Sequence, residues 1–66
     1  MQITVNGEPR TLTQALNLVE LLELLHLGER RVAIQLNGDI VPRTRHAATT
    51  VADGDELLIV QAIGGG

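Results

Sequence analysis

Residues 57–66 of this 66-residue chain, L-L-I-V-Q-A-I-G-G-G, decide how the rest of the sequence is interpreted. Leu57 to Val60 are apolar at four consecutive positions, whereas the first and third strand-like segments have large apolar residues only at every second position. Such a strand is either buried on both faces, or covered on one face with an apolar surface on the other. Gly64 to Gly66 follow it. Either this glycine run is a flexible end, or its terminal carboxylate is itself the functional group.

The composition limits the classes of function. The chain has the size of one small domain and contains no Cys, Phe, Tyr or Trp, so its core must consist of Leu, Ile, Val and Ala. Five Arg, no Lys and a net charge of −3, together with the lack of aromatic stacking residues, argue against nucleic-acid binding. No apolar run is long enough to span a membrane. We therefore expect a soluble, cytoplasmic domain.

The N-terminal segment predicts a β-hairpin. Met1, Ile3 and Val5 alternate with polar residues, as in a strand with one buried face. Asn6-Gly7 then predicts a type I′ turn, because both central positions of that turn need a positive φ. The returning strand is predicted at about residues 10–15.

A helix is predicted over residues 18–27. Asn17 can cap its first turn, and Glu20 lies three residues later, as in a capping box. The predicted buried stripe follows a helical period and consists of Leu18, Leu21, Leu22 and Leu25. Gly28 is the predicted left-handed stop.

Three more strands are predicted in the second half of the chain, at residues 32–36, 40–41 and 56–62. The second is short and at a sheet edge, because Pro42 cannot donate a hydrogen bond to a neighbouring strand. Residues 43–50 are expected to be irregular, and Asp53-Gly54-Asp55 is predicted to be a hairpin turn. This order of elements predicts an α+β fold in which one helix lies across a mixed sheet of four to five strands.

Several motifs together match one known family. They span essentially the whole chain, at residues 5–7, 19–23, 34–37, 40–43, 53–55 and 59–66. In these motifs the chain resembles the ThiS family of sulfur carriers, in the ubiquitin-like β-grasp (ThiS/MoaD) superfamily. His46 departs from the family pattern, which often has an aromatic residue there, and this affects the expected packing of its loop.

The resemblance implies a protein co-substrate and not an enzyme. In this family an E1-like (ThiF-like) adenylyltransferase uses ATP and magnesium to adenylate the terminal carboxylate, here that of Gly66. Sulfur from a donor such as a cysteine desulfurase relay converts it to a thiocarboxylate, which a ThiG-like thiazole synthase accepts. Ile63, Gly64 and Gly65 would thread into the partner as a flexible tail, residues 63–66. The chain would hold no cofactor of its own.

A likeness to ubiquitin also suggests where partners dock. It places Leu57 and Ile59 inward, and Leu58 and Val60 on an open face that contacts partners. Arg43, on a solvated rim, is a further candidate contact. One alternative is the small subunit of molybdopterin synthase, although residues 61–63 lack the prolines typical of that family. Another is a ubiquitin-like interaction module with a chemically inert tail.

Other candidate sites are weaker. His26 and His46 are twenty residues apart without a partnering cysteine, so satisfied or solvated side chains are favoured over metal ligands. Asp53, Asp55 and Glu56 lack the spacing of a calcium-binding loop. No metal site is predicted.

Overall fold

A five-stranded mixed sheet crossed by one helix is the architecture of the computed structural model, which describes residues 1–28 and 30–61. The elements in chain order are β1 (Gln2–Val5), β2 (Glu8–Thr11), α1 (Leu18–Leu24), β3 (Val32–Leu36), β4 (Asp39–Val41), a 3₁₀ turn (Arg43–Arg45) and β5 (Glu56–Gln61). The strand order is β2-β1-β5-β3-β4, which makes β5 the central strand. β1 and β5 are parallel, and the other pairs are antiparallel. The predicted fold class is confirmed. The predicted tail, residues 63–66, lies outside the described residues.

The core lies between α1 and one face of the sheet. Ile3, Leu18, Leu21 and Ile34 are fully buried there, and Val51 joins them from the loop before β5. Leu18, Leu21 and Leu22 of the predicted helical stripe are buried, while Leu25 is partly buried against the core. A core of branched aliphatic side chains thus replaces the missing aromatic residues.

Two Asn-Gly turns set the pairing of the strands. Asn6 and Asn37 have φ of 51°, and the glycines that follow them have φ of 83° and 90°. Glycine and asparagine are the residues that adopt this left-handed region at least cost, so each pair allows a two-residue connection. The predicted turn at Asn6-Gly7 is confirmed, and Asn37-Gly38 joins β3 to the edge strand β4 in the same way.

The predicted position of the second strand is wrong. It occupies Glu8–Thr11 rather than residues 10–15. The tight turn places Val5 directly opposite Glu8, so pairing begins at once. All four residues of β2 are exposed, and the sequence therefore carries no alternation of buried side chains that would have located the strand.

The predicted helix end is also wrong. α1 begins with the predicted capping box, in which Glu20 N donates to Asn17 Oδ1 over 2.8 Å and Asn17 N donates to Glu20 Oε1 over 3.0 Å. It ends at Leu24, and the left-handed residue is His26, with φ of 62°, rather than Gly28. Leu27 N donates to Leu22 O over 2.7 Å, and His26 N donates to Glu23 O over 3.0 Å.

These two hydrogen bonds form a Schellman motif, which satisfies the last carbonyls of a helix. The motif turns Leu27 back onto the core, where it is partly buried. We infer that the packing of Leu27 offsets the cost of a left-handed histidine, which a glycine would have avoided.

The segment between β4 and β5 is tied down by side-chain hydrogen bonds. His46 is buried, and its Nε2 lies 3.1 Å from the carbonyl oxygen of Val41 at the end of β4, so the ring has a hydrogen-bond partner within the domain. Residues 53–55 do form a turn, with Gly54 at φ 87°, but it is not a hairpin turn because the residues before it form no strand. Instead Asp53 Oδ1 accepts from Gln2 N over 2.6 Å, which fixes the turn to β1.

Candidate functional site

The two faces of β5 differ sharply in exposure. Leu57 and Ile59 are 3% and 6% exposed and pack beneath α1, whereas Leu58 and Val60 are 46% and 53% exposed. The predicted alternation is confirmed. No described element covers the second face of the sheet, so two large apolar side chains are presented there to solvent. Their role in docking remains a prediction.

The apolar surface extends beyond β5 in a way that sequence reasoning missed. Ile40 on β4 is 70% exposed. It pairs with Gln35 of β3, which in turn pairs with Leu58, so the three side chains form one row across the open face. Ala33, which pairs with Val60, lies beside them. We call Ala33, Ile40, Leu58 and Val60 the open-face patch. To predict that Ile40 belongs to this patch, one would need the alignment of β4 with β3 that the Asn37-Gly38 turn sets.

On the side that faces β1, the central strand β5 is held by the side chain of Asn6. Its Oδ1 accepts from Ile59 N over 2.7 Å, and its Nδ2 donates to Ile59 O over 3.1 Å. Asn6 N also donates to Leu57 O over 2.9 Å. The amide side chain therefore continues the parallel ladder after the backbone of β1 has turned away. This fixes β5 two residues before its last described residue, Gln61.

The opposite edge of β5 is held by the other Asn-Gly turn. Asn37 Oδ1 accepts from Glu56 N over 2.9 Å, and Asn37 N donates to Glu56 O over 2.8 Å. Asn37 Nδ2 also donates to Asp55 Oδ1 over 3.0 Å. The two asparagines therefore bind β5 from opposite sides, Asn37 at its first residue and Asn6 near its middle, and together they fix its register.

The predicted reactive tail follows directly from this fixed strand. Gln61 pairs with Val32 and lines an open depression of about 260 Å³ beside Asn6, Glu8, Arg10 and Leu27. Ile63, Gly64, Gly65 and Gly66 lie outside the described residues, so the predicted roles of these four residues stay predictions. What the described structure contributes is a strand, hydrogen-bonded on both sides, that ends at Gln61, two residues before Ile63.

Arg43 lies on a different surface from the open-face patch. It lines a depression together with Val19 and Leu22 of α1 and Val32 of β3, which places it on the helix side of the sheet. The three predicted docking residues, Arg43, Leu58 and Val60, are thus not brought together. Any partner that contacts all of them would have to reach around the edge of the sheet.

The described residues offer little chemistry of their own. In residues 1–28 and 30–61, no three His, Cys, Asp or Glu side chains come together as a group that could hold a metal ion. His26 is exposed, and the ring of His46 is hydrogen-bonded to the carbonyl oxygen of Val41. Over the same ranges, no helix is both long and apolar enough to cross a membrane.

Comparison with known proteins decides the family. The profile described as "ThiS family" matches residues 3–66, which is nearly the whole chain. The chain belongs to the ThiS family. The resemblance inferred from the sequence motifs is confirmed, and the match favours ThiS over the molybdopterin synthase alternative.

Individual ThiS relatives agree with this result over their full length. The sulfur carrier protein ThiS of Escherichia coli is 38% identical over 66 residues, and the match covers all of both chains. The crystal structure of the thiamine biosynthesis protein ThiS from Geobacter metallireducens superimposes with a TM-score of 0.86 at 40% identity, again covering both chains completely.

A third relative is a much longer protein. The thiazole synthase of Paramagnetospirillum magneticum is 41% identical over 66 residues, a match that covers all of this chain but only 20% of the relative. The ThiS-like segment is therefore one fifth of that thiazole synthase. Whatever the remaining four fifths do is a property of that protein.

Proposed function

We propose that the chain is the cytoplasmic sulfur carrier of thiamine thiazole synthesis, a co-substrate rather than an enzyme. The observation that carries this proposal is the ThiS family match over residues 3–66, since the matched region includes the glycine tail as well as the fold. The full-length likeness to a protein named as a sulfur carrier supports it.

The proposed chemistry takes place at the carboxylate of Gly66. A carboxylate is a poor electrophile, so an E1-like adenylyltransferase would first use ATP and magnesium to form an acyl-adenylate. The outer sulfur of a persulfide, supplied by a donor such as a cysteine desulfurase relay, then attacks the acyl carbon and AMP leaves. A thiol then attacks the donor's sulfur of this acyl disulfide. A new disulfide forms between the thiol and the donor, and the thiocarboxylate is released on Gly66. Forming a good leaving group before attack is the general logic of activated acyl transfer.

The glycines suit this step for a steric reason. Gly64, Gly65 and Gly66 have no Cβ, so an extended backbone can enter a narrow channel and approach a nucleotide closely. From Ile63 to Gly66 the chain can extend by roughly 10–14 Å. That is enough to leave the folded body and enter the site of a partner.

Thiazole synthase is the proposed acceptor of the sulfur. The support is that a segment like this chain forms part of two proteins named thiazole synthase. Joining two partners in one polypeptide raises their effective concentration, which is useful when they must meet repeatedly. We propose that the separate chain meets its acceptor through the open-face patch.

The patch has the properties of a docking surface. Its large side chains are half-exposed or more, and they sit on strands whose register is fixed at both edges of β5. A rigid apolar surface loses little conformational entropy on binding. Docking there would hold the strand that leads into the tail.

Intact mass spectrometry tests the proposal. After incubation with the activating enzyme, ATP, magnesium and a persulfide donor, the chain should gain the mass of one sulfur in place of one oxygen. Deleting Gly66, or adding one residue after it, should abolish this change without altering the circular dichroism spectrum. A deletion variant that still acquired sulfur would refute Gly66 as the reactive residue. Binding to partners without any mass change would favour the inert interaction module.

A further inference from the structure

A second surface, on the helix side of the sheet, combines positive charge with an apolar floor. This open depression has a volume of about 410 Å³. Arg30 and Arg31, from the segment between α1 and β3, and Arg43, from the 3₁₀ turn, line it. Val19, Leu22 and Val32 also line it, and we call the whole surface the arginine depression.

The charge of the arginine depression is opposite to that of the molecule. The chain has eight acidic residues, five arginines and a net charge of −3. Three of those five arginines line this one surface, and none of the lining residues among the described part of the chain is acidic. Clustered like charges repel each other, and this repulsion is relieved when an anionic group binds between them. An acidic ligand therefore fits this surface better than any other class.

The surface is both accessible and preformed. Arg30, Arg31 and Arg43 are exposed. Beneath them His46 is buried, with its Nε2 at 3.1 Å from Val41 O, and its carbonyl oxygen accepts from Leu18 N at the start of α1 over 3.1 Å. These contacts hold the loop that carries Arg43 against the helix.

We propose that the arginine depression binds an acidic segment of a partner protein. In this arrangement carboxylates pair with the arginines, and an apolar side chain of the segment rests on Val19 and Val32. A free phosphate would use the guanidinium groups but not the apolar floor. At the start of α1, Glu20 N already donates to Asn17 Oδ1 and Leu18 N to the carbonyls of His46 and Thr49, so neither group is free to bind a phosphate. This inference goes beyond the sulfur-carrier role and does not depend on it.

The test uses a short acidic peptide and NMR. We would titrate the ¹⁵N-labelled protein with acetyl-Glu-Glu-Leu-Glu-Glu-amide at low salt. The amide signals of residues 19, 22, 31–32 and 43–46 should shift together, and the affinity should fall as salt is added because the contacts are ionic. The same peptide with glutamine in place of glutamate, and inorganic phosphate alone, serve as comparison probes.

Matched double variants connect the binding to the arginines. Arg31→Gln with Arg43→Gln should weaken peptide binding about tenfold or more, because two ionic partners are lost. The control is Arg10→Gln with Arg45→Gln, which removes the same net charge from exposed arginines that do not line the depression. Binding of the peptide should stay within about twofold of the wild type, because charges outside a contact contribute little to affinity. All these side chains are exposed, and the NMR spectra themselves report whether each variant is folded. Should the first double variant not fold, the single variant Arg43→Gln takes its place.

Three results would overturn the proposal. The first is an absence of signal changes at millimolar peptide, or changes confined to the open-face patch. The second is equal binding of the glutamine peptide, which would mean that charge is not recognised. The third is that inorganic phosphate alone binds the depression as tightly as the peptide does, which would make this a phosphate site.

Discussion

Leu57 and Leu58 are neighbours in the chain with identical side chains, yet one is buried beneath α1 and the other is half-exposed on the opposite face of the sheet. The same contrast holds for Ile59 and Val60. Since side chains alternate along a strand, one segment of four apolar residues supplies both a core and a surface. The apolar residues of β5 therefore have two separate roles: Leu57 and Ile59 form part of the core, and Leu58 and Val60 form an exposed surface. Substitutions on the buried face should therefore lower stability, whereas substitutions on the open face should lower partner binding.

The buried face should give the largest effect. Leu57→Ala removes a side chain from the core of a small domain, and we expect a loss of about 2–5 kcal/mol in the free energy of unfolding. In a domain of this size each kcal/mol lowers the melting temperature by about 4–8 °C. The measurement is thermal or urea unfolding followed by circular dichroism, because the chain has no aromatic residue to report by fluorescence. A loss below about 1 kcal/mol would mean that β5 does not anchor the core.

The open face should show the reverse pattern. We expect Leu58→Glu to cost less than about 1 kcal/mol in stability, the span of strand propensities. It should weaken binding to the activating enzyme or thiazole synthase about tenfold or more, because an unpaired carboxylate would be desolvated in the interface. Affinity is measured by isothermal titration calorimetry, and stability by thermal melts.

Leu24→Glu is the matched control for this experiment. Leu24 lies on α1 and is as exposed as Val60, but it is outside the open-face patch. Binding should be unchanged in this variant. If both variants lost affinity equally, the added charge rather than the patch would be responsible. If Leu58→Glu unfolded the domain, the two faces would not be distinct.

Asn6, which is hydrogen-bonded to β5 on the side of β1, provides a further test of why the two faces of β5 differ. A shift of one residue in register would exchange the two faces, so the contacts that fix the register keep them distinct. Asn6→Gly preserves the positive φ and removes only the side chain that binds Ile59. We expect it to lose about 1–2 kcal/mol, because a partly buried N–H and carbonyl lose their partner.

Asn37→Gly provides the corresponding test at the opposite edge. Its side chain contacts Glu56 and Asp55 at exposed positions, where water can replace it. We therefore expect a smaller loss, below about 1 kcal/mol. The comparison is made by urea unfolding of both variants, with amide hydrogen exchange at Ile59 as a local readout. Faster exchange at Ile59 in Asn37→Gly than in Asn6→Gly would contradict this account.

The smallest effect on stability is expected at the far side of the patch. Ile40 is on the edge strand and is the most exposed large apolar residue of the described part of the chain. Ile40→Glu should change stability by no more than about 0.5 kcal/mol. If the patch docks as a unit, the variant should still weaken partner binding in the same assay, though less than Leu58→Glu does. Unchanged binding would restrict the docking surface to β5 itself.

The features predicted correctly are those that neighbouring residues determine. The capping box of Asn17 and Glu20 and the Asn6-Gly7 turn each depend on short-range chemistry, whereas the inward and outward faces of β5 were assigned from the likeness to ubiquitin. The error at the helix end arose because a distant contact decided the outcome. α1 ends at Leu24 and His26 takes the left-handed conformation because Leu27 packs on the core, and no local rule favours histidine over the nearby Gly28.

The candidate site divides in the same way. Leu58 and Val60 were singled out by the run of apolar residues in one strand together with the likeness to ubiquitin, but Ile40 joins them only through pairing across β3. Arg43 was correctly placed on the exposed surface, yet its separation from the open-face patch depends on how the loop after β4 folds over the helix side. The glycines at 64–66 were singled out by chemistry and by family resemblance, and their role remains for the mass measurement to test.

The parallel pairing of β1 with β5 has a consequence for the order in which the domain assembles. It joins Thr4 to Glu56 and Val5 to Leu57, the first strand to the last. The hairpins β1–β2 and β3–β4 need only nearby residues and can form early, whereas β5 must enter between them after nearly the whole chain has closed into a loop. Such distant contacts slow folding, because the entropy of loop closure is lost before the contacts form. During synthesis, the edges of β1 and β3 that will face β5 are therefore unpaired until β5 has been made. When β5 inserts between them, it completes the sheet and pairs both of these edges in one step.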